Sequence, residues 1–136
     1  MTNLKPETRK PRVLVVDDDP DLLEQVSALM QGEGYEVHQA GGQQEAEEKL
    51  LEVIPDIAVI DLMMENMDSG FVLCHHIKKL YPSTPVIILT AVRSATGLDF
   101  RARSEDAGAW VNADALLDKP ARPEQLRAEV KRLLAK

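Results

Sequence analysis

The sequence is poor in cysteine, in aromatic residues and in positive charge, and each shortage excludes a class of protein. Cys74 is the only cysteine among 136 residues, so neither an intrachain disulfide nor a cysteine-based zinc site can form. Aromatic residues make up 4% of the chain and hydrophobic residues 44%, which predicts a mainly aliphatic core. Lys and Arg number 16 against 23 Asp and Glu, a net charge of −7, and this argues against direct nucleic-acid binding.

Long hydrophobic runs are missing as well. No apolar run approaches the roughly 20 residues that cross a bilayer, and the polar start MTNLKPETRKPR lacks the apolar centre of a signal peptide. We therefore expect a cytoplasmic protein without membrane contact. A chain of this length fits one core, and we expect a flexible arm over residues 1–11 and a single domain over residues 12–136.

Three short apolar runs predict buried parallel strands. Val13–Val16, Ile57–Ile60 and Val86–Leu89 are continuously apolar and rich in β-branched residues, as is typical of strands covered on both faces. Residues 35–38 are a weaker candidate for an edge strand, and Leu116-Leu117 marks a fifth, very short one.

Helical patterns fill the gaps between these strands. Apolar residues at helical spacing form four faces: Leu22, Val26, Leu29 and Met30; Ala46, Leu50, Leu51 and Ile54; Leu73, Ile77 and Leu80; and Leu126, Val130, Leu133 and Leu134. Asp19 is a candidate N-cap with Pro20 at the first helical position, and Pro55 should end the second helix. Another helix, with poorer spacing, is expected within Thr96–Gly108.

The alternation of strands and helices predicts a doubly wound α/β domain, with a five-stranded parallel sheet and helices on both faces. Ligands of such sheets bind beyond the carboxyl ends of the strands. Asp17–Asp19 follow the first strand, Asp61 ends the third, Thr90 ends the fourth and Lys119 follows the fifth. Any one of them has an ordinary explanation, such as a helix cap, but the set predicts a functional site at this edge.

The carboxylates expected there would repel one another. Two carboxylates about 4 Å apart repel by roughly 4 kcal/mol at an effective dielectric constant of about 20, so the group must protonate, separate or bind a cation. An all-oxygen site suits Mg²⁺, which would also screen an incoming phosphoryl group. The central Asp61 would then act as the nucleophile, and Thr90 and Lys119 would contact phosphoryl oxygens.

Four segments in this order carry a family resemblance: VLVVDDDPD, VIDLMMENMDSG, VIILTA and LLDKP. They resemble the receiver domain of two-component response regulators, over roughly Arg12 to Leu134. The resemblance implies a flavodoxin-like receiver fold and makes Asp61 the phosphoacceptor, with Thr90 as the switch hydroxyl and Lys119 as the phosphate-pairing lysine. It implies a domain that promotes its own phosphorylation and is not a turnover enzyme.

The resemblance also implies a metal site and partners. Asp18 and Asp61 would bind Mg²⁺ directly, together with the backbone carbonyl of Met63, and Asp17 would act mainly through bound water. The phosphoryl group would come from a sensor histidine kinase or a phosphotransfer protein. No output domain follows the last helix, so a stand-alone domain acting on a downstream effector protein is expected, and homodimerisation stays open.

Three features depart from the family pattern. Glu65 occupies a position that is usually Pro, and Gly70 comes one residue later than usual, so we expect a reshaped loop after Asp61. The segment between Thr90 and Lys119 is longer than usual. Leu116 stands where relatives carry an aromatic switch residue, so the usual coupling of the hydroxyl to a rotating ring cannot operate.

Two alternative functions remain open from the sequence. A degenerate receiver would act as an unphosphorylated scaffold, although the complete set of site residues counts against it. A haloacid-dehalogenase-like phosphatase would use Asp17-x-Asp19 as its nucleophile motif, but the chain lacks the late acidic pair of such enzymes. A nucleotide-binding Rossmann module is weaker, because no Gly-rich turn follows Val16.

Overall fold

The computed structural model describes residues 10–64, 66, 68–90, 113–119 and 121–135. The strands are β1 (Arg12–Val16), β2 (Glu36–Ala40), β3 (Ile57–Asp61), β4 (Val86–Thr90) and β5 (Ala115–Asp118). The helices of these residues are α1 (Pro20–Gly32), α2 (Gln43–Lys49), α3 (Ser69–Leu80) and α4 (Pro123–Leu134). The strands form one parallel sheet in the order β2-β1-β3-β4-β5, which confirms the predicted doubly wound fold.

Each face of the sheet carries its own apolar cluster. Because successive side chains of a strand point to opposite faces, Leu14 and Val16 pack with the buried residues of α2 and α3. Val13 and Val15 pack with the buried residues of α1 and α4. Strands β3 and β4 are buried along their whole length, as their uninterrupted apolar sequences predicted. Helices therefore cover both faces of the sheet, as expected.

Helix α1 begins where the sequence predicted. The side chain of Asp19 accepts hydrogen bonds from the backbone N–H groups of Asp21, at 2.9 Å, and Leu22, at 3.4 Å. Pro20 follows at the first helical position, where its missing N–H costs nothing. The helix ends at Gly32, and Gly34 has a φ of +89°, a conformation that glycine adopts without strain.

The second helix is shorter than predicted. It ends at Lys49, and the expected core residues Leu51 and Ile54 are 82% and 56% exposed. The backbone N–H of Leu51 donates to Glu48 at 3.1 Å and that of Glu52 donates to Lys49 at 3.0 Å, so the last turn tightens to three-residue spacing. The chain then turns towards β3, and this turns Leu51 and Ile54 away from the core.

Two other predicted apolar faces are only partly buried. Leu80 lies at the end of α3 and is 43% exposed. On α1, Leu22, Val26 and Leu29 are half-buried, because they line a groove of about 390 Å³ between α1 and α4.

Some expectations fall outside the described residues. They are the helix within Thr96–Gly108 and most of the N-terminal arm, residues 1–9. Among the residues that the structure does describe, no helix has the length and apolar character needed to cross a bilayer.

Candidate acidic site at the carboxyl ends of the strands

The register of the sheet brings the predicted acidic residues to one edge. Strands β1 and β3 are parallel with Val16 opposite Ile60, so the next residue of each chain segment, Asp17 and Asp61, lies at the same level. One carboxylate oxygen from each of Asp17, Asp18 and Asp61 lies within 4.8 Å of the others. Asp17 and Asp61 are buried, whereas Asp18 is exposed. Three carboxylates at this spacing are a suitable oxygen donor set for a hard divalent cation.

Lys119 follows β5, which pairs with β4, and its side chain extends to the carboxylate cluster. Its backbone N–H donates to the carbonyl oxygen of Thr90 at 2.9 Å, which fixes it beside the end of β4. Its ammonium group donates to Asp17 Oδ2 at 3.2 Å and to Asp61 Oδ1 at 3.1 Å. One ammonium therefore faces three carboxylates, and the described part of the site keeps an excess of negative charge.

Burial and the surrounding charges shift the pKa values of Asp61 and Lys119. Burial and, after it, the neighbouring charge of Asp17 raise the pKa of Asp61 from 3.8 to about 6, although the hydrogen bond and the charge of Lys119 act to lower it. Burial alone would lower the pKa of Lys119, but its bonds to Asp61 and Asp17 raise it above the ordinary value. The lysine thus stays charged, whereas Asp61 is costly to ionise without a cation.

Asp17 is held at both of its oxygens. Oδ1 accepts the backbone N–H of Asp19 at 2.9 Å and Oδ2 accepts the ammonium of Lys119. The sequence predicted the capping role of Asp19 but not this contact of its backbone with Asp17. The run of three aspartates was the available signal, since a short side chain often accepts from the backbone two residues further on.

The remaining predicted residues surround this cluster. Thr90 is buried at the end of β4. Met63 lies in the loop after β3 with its side chain 40% exposed. Leu116 is paired with Ile88 across β5 and β4 and packs, partly buried, against the cluster shared with α2 and α3. Most of the lengthened segment between Thr90 and Lys119, residues 91–112, lies outside the described residues.

The loop after Asp61 returns tightly to the end of β3. A Cβ atom built on Gly70 would lie 2.6 Å from Leu62 Cα and 2.7 Å from the carbonyl oxygen of Asp61. Gly70 N–H also donates to the carbonyl oxygen of Leu62 at 2.7 Å. The late glycine of the sequence is therefore the residue that lets α3 begin directly against the backbone of Asp61.

A doubly wound parallel sheet with a carboxylate cluster and a lysine beyond its strand ends defines a class of domains that bind ligands at the carboxyl edge of the sheet. Within that class, the family model of the response regulator receiver domain matches residues 13–131. The chain therefore belongs to the response regulator receiver domain family, as the sequence motifs indicated.

Solved structures agree with this assignment. A putative response regulator from Chloroflexus aurantiacus is 32% identical, with a TM-score of 0.78, over 94% of this chain and 100% of that one. The response regulator TrrA from Thermotoga maritima, solved in complex with Mg²⁺ and beryllium fluoride, is 28% identical, with a TM-score of 0.73, over 90% of this chain and 98% of that one.

Curated relatives are longer proteins. The DNA-binding response regulator MtrA of Mycolicibacterium smegmatis is 30% identical over 92% of this chain and 51% of its own length. The DNA-binding dual master transcriptional regulator RpaA of Synechocystis is 32% identical over 91% of this chain and 49% of its own length. The chain spans about half the length of these relatives.

Proposed function

We propose that this chain is a phosphoacceptor, phosphorylated on Asp61 in a Mg²⁺-dependent reaction by a sensor histidine kinase or a phosphotransfer protein. The observation that carries the proposal is the buried Asp61 carboxylate, which lies within 4.8 Å of two further carboxylates and is bonded to Lys119 at 3.1 Å. Membership of the receiver family supports the same reaction. The product would be an aspartyl phosphate that changes contacts with other proteins.

The choice of nucleophile rests on the contacts of the aspartates. Asp17 has both oxygens engaged and Asp19 caps α1, which disfavours the Asp17-x-Asp19 nucleophile of a haloacid-dehalogenase-like phosphatase. Asp61 lies at the end of the central strand β3, which places it in the middle of the carboxyl edge. An ionised Asp61 oxygen would form the new O–P bond as the N–P bond of the phosphohistidine breaks, and the bonding pair would return to the imidazole.

The other residues stabilise the charge that is transferred. Lys119 would exchange its bond to Asp61 Oδ1 for one to a phosphoryl oxygen, since its ammonium already lies at that carboxylate. Thr90, buried at the end of the next strand, would donate its hydroxyl to another phosphoryl oxygen. In-line positioning and neutralisation of charge are the main requirements of phosphoryl transfer.

The residues present fit Mg²⁺. Asp18 and Asp61 would bind it directly with the backbone carbonyl of Met63, and Asp17 would hold a bound water. Three carboxylates lie within 4.8 Å of one another, with the ammonium of Lys119 bonded to two of them, and the solved TrrA complex contains Mg²⁺. Bound Mg²⁺ would supply charge screening between the carboxylates and the phosphoryl group.

The proposed partners are a sensor kinase or phosphotransfer protein and a downstream effector protein, met in the cytoplasm. The curated relatives MtrA and RpaA are DNA-binding. The net charge of −7 makes direct nucleic-acid binding by this chain unfavourable. Membership of a family of response regulators also favours a signalling role over turnover of a separate substrate.

Labelling with a small phosphodonor tests this function. Wild-type protein incubated with Mg²⁺ and acetyl phosphate is expected to gain one phosphoryl group by intact mass, and Asp61→Asn is expected to gain none. Asp19→Asn is the matched control, because asparagine caps a helix equally well, and it should be labelled like the wild type. An unlabelled wild type would favour the scaffold alternative, and loss of labelling in Asp19→Asn alone would favour the phosphatase-like one.

A further inference from the structure

The loop between β3 and α3 is organised by a buried serine. Ser69 is fully buried, and its Oγ accepts the backbone N–H of Asn66 at 2.9 Å. The backbone N–H of Ser69 donates in return to the carbonyl oxygen of Asn66 at 3.3 Å, and that same oxygen accepts the N–H of Met64 at 3.2 Å. Ser69 therefore bonds to both the N–H and the carbonyl oxygen of Asn66, and the same carbonyl oxygen bonds to the N–H of Met64.

The bond to Met64 bears on the candidate metal ligand before it. The N–H of Met64 and the carbonyl of Met63 belong to one planar trans peptide unit and point in opposite directions, so fixing one fixes the other. The preceding residue, Leu62, is anchored too: its N–H donates to Leu89 at 2.9 Å and its carbonyl accepts from Gly70 at 2.7 Å. The peptide that carries the Met63 carbonyl is thus held on both sides.

We propose that Ser69 is a positioning residue for the metal site, acting through Asn66 and Met64 to orient the carbonyl of Met63. The inference rests on the proposed function, in which this carbonyl binds Mg²⁺. Mg²⁺ requires near-octahedral geometry at about 2.0–2.1 Å, whereas Ca²⁺ accepts variable geometry at about 2.3–2.6 Å. A misaligned carbonyl therefore weakens the binding of Mg²⁺ more than the binding of Ca²⁺. A general loss of protein stability would not discriminate between the two cations.

Ser27 provides a matched control for the experiment. Its side chain is also buried, and its Oγ accepts one hydrogen bond, from Gln39 Nε2 at 2.8 Å. Ser27 lies within α1 and its bond reaches Gln39 of β2, away from the loop after Asp61. Ser27→Ala thus removes an equivalent buried hydroxyl without touching the peptide of Met63.

The test is calorimetric titration of each variant with Mg²⁺ and with Ca²⁺. Ser69→Ala is expected to bind Mg²⁺ about two- to ten-fold more weakly, the affinity equivalent of one hydrogen bond, with a smaller loss for Ca²⁺. Ser69→Thr should restore Mg²⁺ affinity, and Ser27→Ala should match the wild type. If Ser69→Ala does not fold, Ser69→Cys fills a similar volume with a weak acceptor and should show the same selective loss.

The outcomes separate this inference from the proposed function. Unchanged Mg²⁺ affinity in Ser69→Ala and Ser69→Cys, or equal losses for both cations, with normal binding by the wild type, would overturn the role of Ser69 alone. A wild type that binds no Mg²⁺ would overturn both proposals. A selective loss of Mg²⁺ affinity in Ser69→Ala or Ser69→Cys that Ser69→Thr and Ser27→Ala do not share supports the inference.

Discussion

Asp61→Asn is expected to make the metal-free protein more stable at neutral pH, by about 1–3 kcal/mol. The pKa of Asp61 is raised from 3.8 to about 6 by burial and by the charge of Asp17, and each unit corresponds to about 1.4 kcal/mol. Ionisation of the carboxylate lowers the free energy of unfolding by that difference. Asparagine carries no charge, and the weaker bond from Lys119 offsets only part of the gain.

The sign of this effect sets its pH dependence. Because the pKa of folded Asp61 lies above that of the unfolded chain, its ionisation destabilises the fold progressively as pH rises from about 4 to about 6. The advantage of Asp61→Asn should therefore be full above about pH 6 and absent near pH 4. Urea unfolding in EDTA at several pH values measures it, with Asp19→Asn as the control that keeps the cap.

Saturating Mg²⁺ should cancel or reverse the stability advantage of Asp61→Asn. A ligand at about 100 times its dissociation constant stabilises the folded state by about 2.7 kcal/mol, and this gain should reach the wild type but not Asp61→Asn. If the wild type is already more stable than Asp61→Asn without metal at neutral pH, the raised pKa of Asp61 is contradicted.

Gly70→Ala is expected to destabilise the protein by about 3 kcal/mol, the upper part of the usual range for forcing an extra carbon into a packed site. The new Cβ would meet backbone, namely Leu62 Cα at 2.6 Å and the carbonyl oxygen of Asp61 at 2.7 Å. Backbone cannot rotate away as a side chain can, so α3 must move or β3 must distort. Phosphodonor labelling of Asp61 should fall with it.

Gly32→Ala is the matched control for that substitution. A Cβ at Gly32, the last residue of α1, meets nothing within 4 Å, and alanine favours a helix over glycine by up to about 1 kcal/mol. Chemical denaturation should therefore show Gly32→Ala as neutral or slightly stabilised. Equal losses in the two variants would mean that the close approach at Gly70 is not what matters.

The sheet could be predicted from the sequence because its signals are local. Continuous β-branched runs specify strands covered on both faces, and Asp19 with Pro20 specifies the start of α1. The end of α2 could not be read in this way. Leu51 and Ile54 keep helical spacing, but the path of the chain into β3 decides that they face solvent.

The contacts of the candidate site were also predictable only in part. Parallel strands end at one edge, so the meeting of Asp17, Asp61 and Lys119 was predictable from three strand ends. The hydroxyl contact of Ser69 with Asn66 was not, because it depends on how closely α3 approaches β3. The sequence showed only that the loop was unusual.

The start of α1 also ties the acidic site to local opening of the chain. Asp17 accepts the N–H of Asp19, and Asp19 accepts the N–H groups of Asp21 and Leu22. Fraying of this turn releases the carboxylate of Asp17, so a cation that needs Asp17 in place must oppose fraying. Amide hydrogen exchange at these three N–H groups should slow when Mg²⁺ is added, which makes the first turn of a helix a reporter of cation occupancy.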